Sequence, residues 1–192
     1  MSKSQLIKSS GWFFMAGAFA FITLLIPADP IAIPGSVVSA ILMAVGLSRL
    51  RAAYTEVVGW FGRSLLLLGM LGPVLWCVVL GSMLILGVTE TQVTEGLWVV
   101  LFIGPAISLL GLTLFGVTAL LHKPMPRLNW LPVFAGIWYP VTYTLFSVYD
   151  ISHKGQFPDQ YLPELVMMVV IQFLALCLFG SILIIDSTKE QA

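Results

Sequence analysis

The chain has 192 residues, of which 59% are hydrophobic and 9% are charged, and its formal net charge is zero. Ordinary soluble domains contain about 25% charged residues, and a soluble protein of this size could not hide so much apolar surface from water. A lipid bilayer covers such a surface, so the composition indicates an integral membrane protein. The balanced charge lacks the basic footprint of a nucleic-acid-binding protein, so no nucleic-acid partner is expected.

Six apolar stretches follow one another along the chain, and each is close to the length of about 20 residues that crosses a bilayer as a helix. They cover approximately residues 11–27, 31–50, 64–88, 97–121, 130–149 and 165–185. Their apolar cores contain no Asp, Glu, Lys, Arg or His. The sequence therefore predicts an all-α membrane protein, a six-transmembrane-helix bundle built from three successive helical hairpins, with residues 1–192 forming a single membrane domain.

The positions of the cationic residues predict which way the bundle faces. With six spans, eight of the nine Lys and Arg residues fall on one side: Lys3, Lys8, Arg49, Arg51, Arg63, Lys123, Arg127 and Lys189. Only Lys154 falls on the other side. Because cationic loops tend to stay in the cytoplasm, this bias predicts cytoplasmic N and C termini in a cell inner (plasma) membrane.

The first stretch admits a second interpretation, because Lys3 and Lys8 before a short apolar run also occur in secretory signal peptides. No small-x-small cleavage site follows between Pro27 and Pro30, so we expect the stretch to be retained as an anchor. Its removal would place the N-terminus outside and leave the orientation of every later span unchanged.

Polar side chains concentrate in the fifth stretch, which contains Tyr139, Thr142 and Tyr143, and the sixth contains the only amide of any apolar core, Gln172. A buried amide in lipid requires hydrogen-bond partners, and a tyrosine hydroxyl can supply one. These residues either bond one helix to another, at about 1 kcal/mol per contact, or line a small polar pocket for a lipid, quinone or pigment. Both interpretations remain open at this point.

Small residues and prolines recur in the middle of the spans. The third and fourth stretches carry the rows Gly69, Pro73, Cys77, Gly81 and Gly104, Ser108, Gly111. Such rows let helix backbones approach closely, and we expect packing within the bundle in preference to a dimer surface. Pro73, Pro105 and Pro140 are expected to kink their helices; broken helices at a transport site are the alternative.

No catalytic, metal-binding or cofactor-binding residues are predicted. His122 and His153 fall on opposite sides of the membrane, so they cannot share a metal or haem. The outer-loop residues Asp150, His153, Asp159 and Glu164 match no metal-ligand spacing, and no nucleophile elbow, HExxH, P-loop or CxxC motif is present. Cys77 and Cys177 lie within apolar runs, where cysteine acts as a small hydrophobic side chain.

Two segments carry a family resemblance. Gly46 to Gly72 reads GLSRLRAAYTEVVGWFGRSLLLLGMLG, and Leu112 to Pro140 reads LTLFGVTALLHKPMPRLNWLPVFAGIWYP. Their placement of glycine, arginine and tryptophan resembles a broad group of uncharacterised bacterial multi-pass (six-helix) membrane proteins. The resemblance covers about half of the chain, and it implies fold and topology without an activity.

Three classes of function follow from these observations. The missing intramembrane charges favour a structural or accessory subunit, or a modulator, of a membrane complex, with the lipid bilayer and other membrane-protein subunits as partners. A carrier or binding protein for a small neutral or lipidic solute is the second class. A membrane enzyme is the third and least favoured class, and it would require Glu56, Arg63, His122 and Arg127 to converge at the helix ends. Anchoring to phosphate headgroups explains the two arginines more simply.

Overall fold

A computed structural model describes residues 1–25, 29–54, 56–87, 95–125, 128–138, 141, 144 and 162–189. These residues form helices and short connections, with no strand among them. The helices are α1 (Lys3–Phe21, followed by a 3-10 turn at Ile22–Leu25), α2 (Asp29–Tyr54), α3 (Gly59–Leu86), α4 (Glu95–His122), α5 (131–138) and α6 (Leu162–Lys189).

Four helical segments in the described residues are long and apolar enough to cross a membrane: Ile33–Tyr54, Gly59–Leu86, Ile103–His122 and Val169–Thr188. They correspond to the second, third, fourth and sixth predicted stretches, so the described residues are all-helical, as predicted, and their length and composition support a membrane protein. The first predicted stretch falls on α1 and its 3-10 turn. The fifth, residues 130–149, is described in part, at residues 130–138, 141 and 144.

Several helix ends extend beyond the predicted spans. α2 continues through Arg51 to Tyr54, and α3 begins at Gly59 after a short turn in which Val58 N–H donates to the Tyr54 carbonyl. Gly59 and Gly87 bracket α3, and both have a φ of 64°, the left-handed conformation that glycine adopts at little cost. The basic segment between Arg51 and Arg63 therefore consists mostly of the end of α2 and the start of α3, which a short turn separates.

The helices pack in an order that follows the chain. α1 lies between α2 and α6, α2 contacts α3, and α3 packs on α4. Serine hydroxyls fix the antiparallel register of α1 and α2: Ser10 donates to the Gly46 carbonyl and Ser39 to the Gly17 carbonyl, each at 2.8 Å. Ser4 donates to the Ser187 carbonyl at 3.1 Å, so the start of α1 and the end of α6 lie at the same end of the bundle.

Glycines set the closest helix contacts. A Cβ at Gly11 would lie 2.5 Å from the Gly180 carbonyl, and a Cβ at Gly180 would lie 2.6 Å from the Gly11 carbonyl. Between α3 and α4, Gly69 faces Gly111, and a Cβ at Gly72 would lie 2.5 Å from the Ser108 nitrogen. Backbones that approach this closely gain van der Waals contact, which holds helices together where lipid removes the hydrophobic drive.

Large apolar side chains divide between the interior and the outer surface. Phe14 stacks on Phe179 in the core with ring centroids 5.0 Å apart. On α3 an exposed row points outward along the whole helix: Trp60, Leu67, Leu71, Val74, Val78 and Ile85. The Ser64 and Ser82 hydroxyls, also exposed, donate to the Trp60 and Val78 carbonyls of their own helix, which suits a lipid-facing surface.

Candidate functional site

A small cavity lies where α1, α2, α3, α4 and α6 converge. Its volume is about 20 Å³, which is room for about one water molecule. The lining residues are Phe21, Ser39, Ala40, Met43, Pro73, Trp76, Pro105, Ser108, Leu109, Gln172 and Leu176. None of these side chains is ionisable, so the cavity suits water or a small neutral group.

Two prolines on neighbouring helices form part of the cavity wall. Pro73 on α3 and Pro105 on α4 are both buried. A proline has no N–H, so each one leaves the carbonyl four residues earlier, Gly69 or Leu101, without its usual helical donor. The cavity is thus located where two adjacent helices both have weakened backbone hydrogen bonding.

Ser108 contributes a polar atom to this region that the described residues leave without a hydrogen-bond partner. Its side chain is 3% exposed, and its backbone is pressed against Gly72 of α3. An unpaired buried hydroxyl costs free energy, about 1–3 kcal/mol in mutational data. Ser108 is therefore the polar group of the cavity that has unused hydrogen-bonding capacity.

Gln172 is fully buried on α6, and its Nε2 donates to the Ala135 carbonyl of α5 at 2.5 Å. This bond joins the middle of α6 to the described part of the fifth span. Ser39, another polar lining residue, donates to the Gly17 carbonyl. Both side chains serve helix-to-helix bonding, which is the first of the two interpretations of the intramembrane polar residues.

The predicted polar pocket consists of Tyr139, Thr142, Tyr143 and Gln172, and only Gln172 belongs to the described residues. Gln172 lines the cavity, while Tyr139, Thr142 and Tyr143 lie outside the described part of the chain. The pocket as a whole stays a prediction. Ala135, the partner of Gln172, precedes Tyr139 by four residues in the sequence.

Sequence reasoning did not identify several lining residues, among them Phe21 and Trp76, whose rings lie 6.1 Å apart. Large aromatic residues are common throughout these spans, so the sequence distinguishes neither of them. The two prolines carried a usable signal, because Pro73 and Pro105 each lie near the middle of an apolar stretch. When two antiparallel neighbouring helices each have a proline near the middle, the two missing backbone hydrogen bonds lie at a similar level along the bundle.

Within the described ranges, no three His, Cys, Asp or Glu side chains lie close enough together to hold a metal ion. Cys77 and Cys177 are free thiols, both partly buried. A comparison with protein-family models, with curated proteins and with solved structures finds no match to this chain.

Proposed function

We propose that the chain is a six-span protein of a bacterial inner membrane, with both termini in the cytoplasm. Two observations support this topology. Eight of nine Lys and Arg residues fall on one side when six spans are assumed. The Ser4–Ser187 bond brings the start of α1 and the end of α6 together, as an even number of crossings requires.

The function that we propose is that of a structural or accessory subunit, or a modulator, of a membrane complex. The observation that carries it is how the interior polar groups are used. Ser10, Ser39 and Gln172 each donate to the backbone of a facing helix and so tie the bundle together. The apolar cores also lack the ionisable residues that mark ion and proton pathways.

A carrier or binding protein for a small neutral or lipidic solute is the second candidate. The Ser108 hydroxyl favours it, because a buried polar group that the described residues leave unsatisfied is a suitable anchor for a ligand. The cavity of about 20 Å³ is far smaller than ligand pockets, which measure about 300–1,000 Å³. A solute would therefore require the helices to separate, and this ranks the carrier below the accessory subunit.

Purification of the tagged full-length chain from its native host in mild detergent tests the proposal. Mass spectrometry then identifies the proteins and small molecules that co-purify. A membrane-protein partner in stoichiometric amount is the expected result. A chain that purifies alone with one enriched small molecule contradicts the accessory role and favours the carrier.

A further inference from the structure

The connection between α4 and α5 combines exposed basic groups with a fixed backbone. The His122 and Lys123 side chains are exposed, and the Lys123 ammonium has no hydrogen bond or ion pair in the described part of the chain. Between Glu95 and Asp150 the sequence contains no acidic residue. The connection is therefore basic, with no acidic residue near it in the sequence.

The backbone of this connection is held in place by specific hydrogen bonds. Asn129 clamps Met125, since its Oδ1 accepts from the Met125 N–H at 3.0 Å and its Nδ2 donates to the Met125 carbonyl at 3.1 Å. The Met125 side chain is buried. The Lys123 N–H donates to the Ala119 carbonyl at 2.8 Å, which closes the end of α4. The backbone from which the Lys123 side chain projects is thus held in place by these bonds.

Lys123 occupies a conformation that lysine normally avoids. Its φ is 48°, and that of Leu128 in the same connection is 51°. A left-handed residue that follows a helix is usually glycine, because a Cβ is unfavourable there. A lysine at this position is costly for folding, and such costs tend to persist where a side chain serves a function.

Exposed apolar side chains occur close to the basic groups in the sequence. Leu121 is 75% exposed and Trp130 is 44% exposed. Trp130, Phe134 and Trp138 stack edge to face along α5, with centroid separations of 5.6 Å and 5.7 Å. Exposed tryptophan near a cation is typical of the headgroup zone, and the aromatic row continues from Trp130 along α5.

We propose that the α4–α5 connection binds the headgroup of an anionic phospholipid, with Lys123 and His122 at the phosphate and Trp130, Phe134 and Trp138 along an acyl chain. The His122 Nδ1 donates to the Thr118 carbonyl at 3.0 Å, which directs Nε2 away from the helix. The acidic residues assigned to this end are Glu56, Asp186 and Glu190; Glu56 is exposed on another connection and Asp186 is buried. The site is independent of the proposed accessory role.

Native mass spectrometry of the full-length protein, titrated with phosphatidylglycerol and separately with phosphatidylcholine, tests the site through the first bound lipid. We expect wild type to prefer phosphatidylglycerol. K123G removes the charge and the Cβ, and we expect about five-fold weaker binding of phosphatidylglycerol, as for the loss of one basic residue at an anionic surface. K123R keeps the charge and is expected to bind like wild type.

Two variants serve as matched controls. L128G relieves a positive φ in the same connection without changing charge, and K8Q removes an exposed lysine at the same end of the bundle. Both are expected to keep wild-type preference for phosphatidylglycerol. K123G should also unfold at a temperature no lower than wild type, because the strained Cβ is gone, so weaker lipid binding is then not due to misfolding.

Three results would overturn the proposal. K123G could bind phosphatidylglycerol as wild type does, which removes Lys123 from the site. K8Q could lose as much phosphatidylglycerol binding as K123G, which would show that the lipid responds to the total positive charge at this end of the bundle and not to a specific site. Millimolar inorganic phosphate could displace the first lipid, which assigns the site to free phosphate in place of a lipid headgroup.

Discussion

At the scale of single residues, Gln172 is a fully buried polar side chain whose hydrogen bond links α6 to α5. Q172L preserves the approximate volume and removes the hydrogen bond to the Ala135 carbonyl. Interhelical hydrogen bonds in membranes contribute about 0.6–1.7 kcal/mol, so we expect destabilisation in that range. Q172E places a carboxyl in the same buried position and should cost more, about 2.5 kcal/mol or above if it ionises. Unfolding of the purified protein in mild detergent measures both.

L174A on the outer face of the same helix is the matched control, because Leu174 is 57% exposed. Surface substitutions of this kind usually stay within about 0.5 kcal/mol. Equal losses for Q172L and L174A would show that Gln172 does not bond α6 to α5. A Q172E variant as stable as Q172L would show that the new carboxyl stays protonated or that water reaches this position.

The sequence marks Gln172 as a buried polar group and Ser108 only as a member of a small-residue row, for a physical reason. Gln172 is the only amide in an apolar core, so its burial against a neighbouring helix follows from the cost of an unpaired amide in lipid. Serine is short and normally bonds to its own helix, as Ser64 and Ser82 do. Only the packing of Ser108 against Gly72 reveals that its hydroxyl differs.

At the scale of helices, α3 shows how far a small-residue row predicts packing. The four-residue spacing of Gly69, Pro73, Cys77 and Gly81 predicts one packing face. Steps of four residues advance about 40° beyond a full turn each time, so the row winds around the helix. Gly69 contacts α4, Pro73 lines the cavity, and the Cys77 thiol points to the Val37 carbonyl of α2 at 4.0 Å. A Cβ at Gly81 would meet nothing within 4 Å.

Gly72 and Gly81 therefore make a matched pair on one helix. G72A puts a methyl group against the Gly104 carbonyl and the Ser108 nitrogen, both rigid backbone atoms. Overpacking of this kind costs about 1–3 kcal/mol, and separation of α3 from α4 should accompany it. G81A adds a methyl group in open space and should be neutral or stabilising by up to about 1 kcal/mol, since alanine is the better helix former.

Thermal unfolding in detergent compares the two variants with wild type. A cysteine pair placed across α3 and α4 reports whether the helices have moved apart. If G72A and G81A were equally stable, the close contact of α3 with α4 would not exist in solution. If G81A alone were destabilising, the outer face of α3 would be covered by a partner, which would strengthen the accessory role.

At the scale of the whole molecule, the zero net charge conceals a strong asymmetry. Under the proposed topology, the cytoplasmic end holds eight cationic and three acidic residues, and the outer end holds one cationic and six acidic residues. The class of protein and most helix positions follow from apolar length and from this asymmetry. The neighbour order does not, because it depends on where Gly11, Gly111 and Gly180 permit close approach, and glycine is common in all such spans.

The asymmetry leads to a prediction about topology. Reporter fusions at the N-terminus and at the C-terminus should both give a cytoplasmic signal, and a fusion after Thr91 should give an external one. The K3Q/K8Q double variant should keep the N-terminus inside, because six cationic residues remain on that side and α1 is held between α2 and α6. An external N-terminus with a cytoplasmic C-terminus would remove the first span from the topology, and an external C-terminus would overturn the orientation altogether.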